Sequence, residues 1–149
     1  MNTLIHYYQV ITQWFSSTGL SLLVLIMRVF IAKIFWFSGL TKLGNWQGTI
    51  ALFTQDYKVP LLSPEFAAYL AASFELTCPI LLLFGFATRF AALALLGMTA
   101  VIQYTYPGYI EHAYWALLLT TILFYGAGRL SLDHYLKNLF TQIYEKNNH

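Results

Sequence analysis

Apolar residues gather into four long stretches along the chain, separated by shorter segments that are rich in polar and turn-forming residues. A helix needs about 20 consecutive apolar residues to cross the hydrocarbon core of a bilayer. The first two stretches reach this length alone, and the last two reach it with their flanking residues. The pattern therefore predicts an all-α integral membrane four-helix bundle, with spans at about 20–41, 66–86, 88–105 and 111–128.

Three other segments have apolar residues at helical spacing but are too short or too polar to cross a membrane. In residues 1–19 the repeated positions are Leu4, Tyr7, Tyr8, Ile11, Trp14 and Phe15. In the first outer loop they are Trp46, Ile50 and Phe53, and the tail at 131–146 repeats the pattern. Such segments are typical of helices at a membrane interface, so we predict amphipathic interfacial helices at both termini and in this loop. Binding of a partner protein by the tail is an open alternative.

Residues with turn and capping preferences separate these elements. Thr88 is placed to cap the third span, and Ser131 is placed to cap the tail helix. Pro107 and Gly108 mark the short turn between the third and fourth spans. The chain has no sequence repeat or low-complexity tract, so we predict a single membrane domain over residues 1–149.

Composition agrees with this class of protein. Hydrophobic residues make up 58% of the chain and charged residues 9%, about a third of the charged share of a soluble domain. The net charge of +2 is small and dispersed, which argues against nucleic acid as a partner. Cys78 is the only cysteine, so thiol–disulfide exchange within this chain is excluded.

The distribution of basic residues predicts the orientation in the membrane. On the side of the termini the loop and tail carry Arg89, Arg129, Lys137 and Lys146, whereas the opposite loops carry Lys42 and Lys58. Because basic residues are enriched in cytoplasmic loops, we predict a multi-pass membrane protein with both termini in the cytoplasm.

Glu75 places a carboxylate inside the second predicted span, four residues before Pro79. Proline lacks the N–H that would bond the Glu75 carbonyl. Counting residues from the inner boundary puts Arg28 at a depth of roughly 12 Å and Glu75 at roughly 16 Å. We therefore predict an interior Arg28–Glu75 ion pair, which either fixes helix packing or marks a ligand or proton site. Lys33 faces elsewhere, toward another interior partner or an oligomer contact.

A second polar group is predicted near the outer face of the bundle. Lys42, Gln103 and His112 could hydrogen-bond the carbonyl oxygens of an amphipathic ring compound, and Trp46 and Trp115 could form its apolar walls. Interfacial anchoring would explain the same aromatic residues. We take Glu75 and His112 as candidate catalytic residues without a firm assignment, and Arg28, Lys42, Trp46, Gln103 and Trp115 as candidate ligand-binding residues.

The sequence offers no recognisable metal site. His112 and His134 fall on opposite sides of the membrane, so they cannot supply two axial ligands to one haem. The chain also has no Cys/His cluster of the kind that binds zinc or an iron–sulfur centre. We therefore expect no metal and no intrinsic cofactor.

The order of short motifs gives a further indication. The first span reads Arg28-Val29-Phe30 and then Phe35-Trp36-Phe37-Ser38-Gly39-Leu40-Thr41-Lys42. Later motifs are Phe53 with Tyr57-x-Val59-Pro60, Glu75 before Pro79, Gly85 with Thr88-Arg89, Met98-Thr99-x-Val101-Ile102-Gln103, Tyr106-Pro107, His112-x-x-Trp115 and Gly126-x-Gly128-x-Leu130-Ser131-Leu132-Asp133. In this order the chain resembles the DoxX family over roughly residues 20–135.

The resemblance implies a four-span protein of the bacterial inner membrane. Members of that family include the quinone-reducing membrane subunit of an archaeal thiosulfate oxidoreductase and a membrane component linked with oxidative-stress proteins. These associations imply a membrane subunit of a redox or stress-response system, with a partner oxidoreductase or a quinone. Alternatives are a nonenzymatic membrane anchor or assembly factor and, third, a small proton-coupled transporter centred on Glu75. A homo-oligomer is also open, and the lipid bilayer is the expected surrounding.

Overall fold

The structure is a computed structural model that describes residues 2–147, and these residues form helices joined by short turns. The two ends of the predicted domain lie outside the described residues, namely Met1 at the N-terminus and Asn148 and His149 at the C-terminus. The predicted all-α class is confirmed. The α-helices are α1 (Asn2–Trp14), α2 (Leu20–Gly44), α3 (Trp46–Leu52), α4 (Pro64–Phe84), α5 (Thr88–Thr105), α6 (Ile110–Tyr125) and α7 (Leu132–Asn147).

Four of these helices pack into a bundle. Helix α2 packs on α4, α4 on α5, α5 on α6, and α6 on α2, so the four close into a ring. Their bounds agree with the predicted spans to within three residues at each end. Apolar side chains fill the centre, and those with no more than 1% exposure include Ile31, Phe35, Leu82, Leu95, Leu119 and Ile122.

The outside of the bundle is also apolar. Among the described residues, α2 and α4 are long and apolar enough to cross a membrane. Helices α5 and α6 have 18 and 16 residues, or about 27 and 24 Å at 1.5 Å per residue, so they reach across only with flanking residues. Large exposed apolar residues are typical of a surface that contacts lipid or protein, and here they include Leu22, Ile26, Phe30, Phe37, Leu83, Leu93, Leu117 and Phe124.

Local sequence sets the bounds of α4. The Ser63 hydroxyl accepts a hydrogen bond from the Phe66 N–H at 3.3 Å, and Pro64 occupies the first turn, where its missing N–H costs nothing. The helix runs unbroken through Pro79 and ends at Gly85, whose φ of +67° suits glycine. The turn that follows brings α5 back antiparallel beside α4.

The N-terminal helix continues into the bundle. After α1, a π-helical turn at Phe15–Gly19 leads directly into α2, without a break in the helical path. The side chains described in α1 are exposed, while those of Leu4 and Ile11 lie outside the described part of the chain. The predicted N-terminal helix is therefore present, and its position at the interface stays a prediction.

The predicted helix in the first outer loop is confirmed as α3. Asn45 caps it, because its side chain accepts a hydrogen bond from the Gly48 N–H at 3.0 Å. A π-helical turn at Phe53–Tyr57 follows and ends at Lys58, which has a left-handed φ of +41°. This segment packs against α4 and α5, so the loop covers the end of the bundle toward which Lys42 lies.

Candidate functional site

Glu75 pairs with Lys42 in the structure. The Lys42 ammonium donates a hydrogen bond to Oε1 of Glu75 at 2.8 Å and lies 2.7 Å from Oε2. Oε2 accepts no well-aligned hydrogen bond from the described residues, so it keeps acceptor capacity. The Glu75 side chain is 1% exposed and that of Lys42 is 13% exposed, which makes this a nearly dry ion pair.

The pair depends on a close approach between α2 and α4. A Cβ placed on Gly39 would lie 2.9 Å from the Leu76 side chain and 3.2 Å from Cβ of Glu75. Glycine therefore lets the two helices meet beside the carboxylate. Ser38, one turn before Lys42, accepts a second hydrogen bond from its ammonium at 3.0 Å. Sequence reasoning did not select Ser38 as a site residue, although its i, i+4 spacing to Lys42 is a usable signal.

The predicted Arg28–Glu75 ion pair is wrong. Arg28 lies eleven residues before Gly39 on α2, about 16 Å along the helix, so it cannot reach a carboxylate at the level of Gly39. Its guanidinium instead donates four hydrogen bonds of 2.7–3.0 Å to the carbonyls of Leu82, Leu83, Ala127 and Leu130. Arg28 thus joins the end of α4 to the segment after α6 through these four hydrogen bonds.

Thr88 does not cap α5 as predicted. It is the first residue of that helix, and its Oγ1 has no hydrogen-bond partner among the described residues. The cap comes from Asp133, whose carboxylate accepts hydrogen bonds from the N–H groups of Ala87 at 2.8 Å and Thr88 at 3.0 Å. A carboxylate also suits the positive end of the helix dipole. The predicted Ser131 cap of α7 is confirmed, at 3.2 Å to the His134 N–H.

A cavity of about 230 Å³ lies beside the Lys42–Glu75 pair, between α4, α5 and the loop that contains α3. Lys42 and Glu75 supply charged groups to a wall that is otherwise almost wholly apolar. The remaining lining residues are Phe53, Tyr57, Val59, Leu62, Ala67, Leu70, Ala71, Phe74, Ala94, Gly97, Met98, Val101 and Ile102. An apolar cavity with a few convergent polar groups is the usual form of a small-molecule site.

Tyr57 brings a phenol to this cavity from the outer loop. Its ring packs against Phe53 at a centroid distance of 4.9 Å and against Tyr106 at 5.8 Å. Burial raises the pKa of Tyr57 above its ordinary value, with further upward contributions from the negative charge of Glu75, from Tyr106 and from Asp56. The hydroxyl is therefore protonated at neutral pH, and it donates no hydrogen bond to another described residue.

His112 and Gln103 meet, but they do not line this cavity. Nδ1 of His112 lies 2.9 Å from Oε1 of Gln103, across the interface between α5 and α6. The imidazole ring is buried between Tyr109, at 5.7 Å, and Trp115, at 5.1 Å. The structure thus separates the predicted outer group into two places, with Lys42 at the cavity and His112 of α6 at the interface with α5.

The two candidate tryptophans lie apart as well. Trp46 packs against Tyr69 of α4 at 4.5 Å, and Trp115 packs against Phe35 in the bundle core at 5.8 Å. Neither is among the residues that line the cavity. Lys33 is exposed on the outer surface of α2 rather than in the bundle interior. Among the described residues, no group of His, Cys, Asp and Glu is suited to hold a metal ion.

Comparison with known proteins places this arrangement in a family. The family model described as DoxX matches residues 23–108, more than half of the chain. The chain belongs to the DoxX family. The matched range contains Arg28, Lys42, Glu75 and the cavity, whereas His112 lies beyond it. The resemblance seen in the sequence is confirmed, and DoxX is a family of membrane proteins.

Two relatives in this family are similar over most of their length. A protein of Haemophilus influenzae described as uncharacterized is 33% identical over 136 residues, covering 83% of this chain and 88% of its own. A Bacillus subtilis protein named "Putative oxidoreductase CatD" is 35% identical over 120 residues, covering 75% of this chain and 85% of its own. No solved structure matches the chain significantly. The DoxX identity and the name of the second relative together hint at a redox-associated role in the membrane.

Proposed function

We propose that this DoxX protein is a membrane subunit of a redox system and that it binds the ring of a quinone-type compound in the cavity between α4 and α5. The observation that supports this proposal most is that Lys42 and Glu75 lie in the wall of an almost wholly apolar cavity. A quinone ring is flat and apolar, and its two oxygens accept hydrogen bonds. The cavity therefore offers complementary surfaces to both parts of the molecule.

Two donors in the cavity suit quinone oxygens. The Lys42 ammonium carries three N–H groups, of which Ser38 and Glu75 accept two in good geometry. The phenol of Tyr57 supplies an O–H from the part of the wall that the outer loop forms. Reduction of a quinone to a quinol takes up two electrons and two protons. In this proposal a partner oxidoreductase supplies the two electrons, the two protons come from water, and Glu75 lies where it can relay each of them to the quinone.

The proposed setting is the bacterial cytoplasmic membrane, crossed four times with both termini in the cytoplasm. The four-helix ring with its apolar outer surface supports four crossings. Three basic residues, Arg89, Arg129 and Lys137, lie around one end of the bundle, the end at which α7 begins. The excess of basic residues at that end supports its placement on the cytoplasmic side.

Binding of a water-soluble, short-chain quinone to the purified full-length protein tests the proposal. Gly97 lines the cavity, and a Cβ added there has no heavy atom within 4 Å, so Gly97→Phe can be accommodated at Cβ and should place an aromatic ring at the cavity. Gly44, at the end of α2, has equally open surroundings but does not line the cavity, and Gly44→Phe is the matched control.

We expect saturable binding by the wild-type protein and by the Gly44→Phe variant, and at least tenfold weaker binding by the Gly97→Phe variant. His112→Ala should bind as the wild-type protein does, because His112 lies outside the cavity. Binding that is absent from the wild-type protein, with and without its native membrane partners, would overturn the proposal. Equal binding by both glycine variants would place the quinone elsewhere.

A further inference from the structure

A second cavity, which we call the basic groove, lies at the other end of the bundle. It has a volume of about 550 Å³ and is bounded by the α4–α5 turn, the segment after α6 and the first turns of α7. This volume is in the range of natural small-molecule sites. Three of the eight Lys and Arg residues of the chain, Arg89, Arg129 and Lys137, lie in its wall.

The basic side chains of the groove are available to a ligand. Arg129 and Lys137 make no side-chain hydrogen bond with the described residues, and Arg89 makes one long contact of 3.5 Å with the Phe124 carbonyl. Among those residues Lys42–Glu75 is the only ion pair, so none of the three cations is neutralised by a carboxylate within 4.0 Å. Arg28 differs, because backbone carbonyls accept four of its hydrogen bonds.

One acidic residue, Asp133, also lines the groove, but backbone groups satisfy it. Both of its oxygens accept hydrogen bonds from the N–H groups at the start of α5. Its hydrogen-bonding capacity is thus used in part at the positive end of that helix. The imidazole of His134 lines the groove too, and its Nε2 lies 3.2 Å from Nδ2 of Asn138. The groove therefore carries three cationic side chains and one carboxylate, which leaves a net excess of positive charge.

We propose that the basic groove binds a phosphate group, with Arg89, Arg129 and Lys137 as its ligands. Guanidinium groups match phosphate in geometry, and an ammonium adds a point charge. This site is independent of the quinone proposal, since it shares no residue with the α4–α5 cavity. Phosphate can come from the headgroup of an anionic lipid or from a soluble phosphate ester.

The surroundings of the groove favour a lipid headgroup as the source. Helix α7 begins at the groove and leaves an apolar face exposed, formed by Leu132, Tyr135, Leu139, Phe140, Ile143 and Tyr144. A helix with this pattern lies in the membrane interface, at the depth of the headgroups. Basic clusters next to the cytoplasmic end of membrane helices are typical sites for anionic lipids.

Native mass spectrometry of the full-length protein in detergent tests the proposal. Phosphatidylglycerol and phosphatidylcholine with identical acyl chains are added in turn, and the bound lipids are counted. The test variant is Arg129→Gln/Lys137→Gln. The control is Lys146→Gln, which removes an exposed charge from the same helix outside the groove. Glycerol phosphate is then added as a competitor to separate the two sources of phosphate.

We expect the wild-type protein to prefer phosphatidylglycerol, and the double variant to bind it about 25-fold more weakly, or about fivefold for each charge removed. Lys146→Gln should leave it unchanged. Displacement by millimolar glycerol phosphate would support a phosphate site that also accepts soluble esters, and failure of displacement would support a lipid site. Equal binding of the two lipids by the wild-type protein, or equal losses in the groove and Lys146 variants, would overturn the proposal.

Discussion

At the scale of single residues, the buried carboxylate of Glu75 is stabilised by one cation. Lys42 reaches it because side chains on a helix lean toward the N-terminus, and Lys42 lies only three residues after Gly39, where α2 and α4 approach closely. Its ammonium then lies against both carboxylate oxygens. Removal of either partner leaves the other charge buried without compensation.

This pairing predicts strong coupling between Lys42 and Glu75. Lys42→Met and Glu75→Gln should each destabilise the bundle, Lys42→Met by about 3–5 kcal/mol because it strands a buried charge. The double variant should lose at least about 1 kcal/mol less than the sum of the two single losses. Unfolding in mixed micelles containing a denaturing detergent, followed by circular dichroism, measures these values.

A matched control uses the exposed lysine on the same helix. Lys33→Met combined with Glu75→Gln should give additive losses within about 0.5 kcal/mol, because the two side chains do not meet. Coupling of Lys33 to Glu75 that is as strong as the coupling of Lys42 would contradict the Lys42–Glu75 ion pair.

The structure also predicts that Arg28 acts independently of Glu75. Arg28→Leu leaves four backbone carbonyls without their donor and should cost about 3 kcal/mol or more. Adding Glu75→Gln should increase the loss by its single-variant value, within about 0.5 kcal/mol. Partial restoration of stability in this double variant would show instead that the two charges are in contact.

At the scale of elements, the tail segment stabilises the turn between α4 and α5. Asp133 caps α5, and its own N–H donates a hydrogen bond to the Gly85 carbonyl at 2.9 Å. Arg28 donates hydrogen bonds both to the Leu83 carbonyl at the end of α4 and to the Ala127 carbonyl after α6. The segment before α7 and the first turn of α7 are therefore part of the packed end of the bundle. The remainder of α7 is largely exposed.

The cap predicts a measurable role for Asp133. Asp133→Ala should destabilise the bundle by about 1–2 kcal/mol, and Asp133→Asn by less, because an amide oxygen can still accept one of the two hydrogen bonds. Limited trypsin digestion should cut the Asp133→Ala variant faster at Arg89 in the adjoining helix turn. Glu145→Gln, at the exposed end of α7, is the control, and an equal effect there would exclude a capping role.

The sequence predicted the elements better than the contacts between them. Hydrophobic spacing located the four bundle helices and also α3 and α7. It could do so because burial and lipid exposure both depend on side chains that repeat along one helix. It did not predict the partners of Arg28, because those are backbone carbonyls of a turn and a loop, which carry no side-chain signal. Nor did it assign Thr88 correctly, since the capping carboxylate comes from a residue 45 positions later.

The candidate site was predicted only in part for a similar reason. Glu75 was selected because a charge in an apolar helix is costly, and Lys42 as a hydrogen-bond donor near the outer face. Their pairing depends on the relative offset of α2 and α4 along their axes. Counting residues from an assumed membrane boundary gave Arg28 and Glu75 similar depths. The close approach at Gly39 sets a different offset. The cavity itself arises from three separate elements, which no periodicity along one of them reveals.

At the scale of the whole molecule, polar groups are distributed unevenly between the two ends of the bundle. The Lys42–Glu75 pair and its cavity lie toward the end covered by α3, and the basic groove lies at the end where α7 begins. In the proposed orientation, with both termini in the cytoplasm, the quinone site lies toward the outer leaflet and the phosphate site toward the cytoplasm.

This arrangement predicts the labelling of single cysteines in intact cells. In a Cys78→Ala background, a membrane-impermeant maleimide should label Lys58→Cys in the outer loop. It should label Asn138→Cys in α7 only after the cells are permeabilised. Both positions are exposed, so access to the reagent depends on the side of the membrane. The reverse labelling would place the termini outside the cytoplasm.

The most direct measurement for the proposed function is the location of a bound quinone. A photoreactive quinone analogue is activated on the full-length protein in membranes, and the labelled peptides are identified by mass spectrometry. We predict saturable labelling, prevented by excess unlabelled quinone, in residues 53–59 and 94–102, which line the cavity. Labelling that is confined to the surroundings of His112 and Trp115, or that does not saturate, would contradict the account.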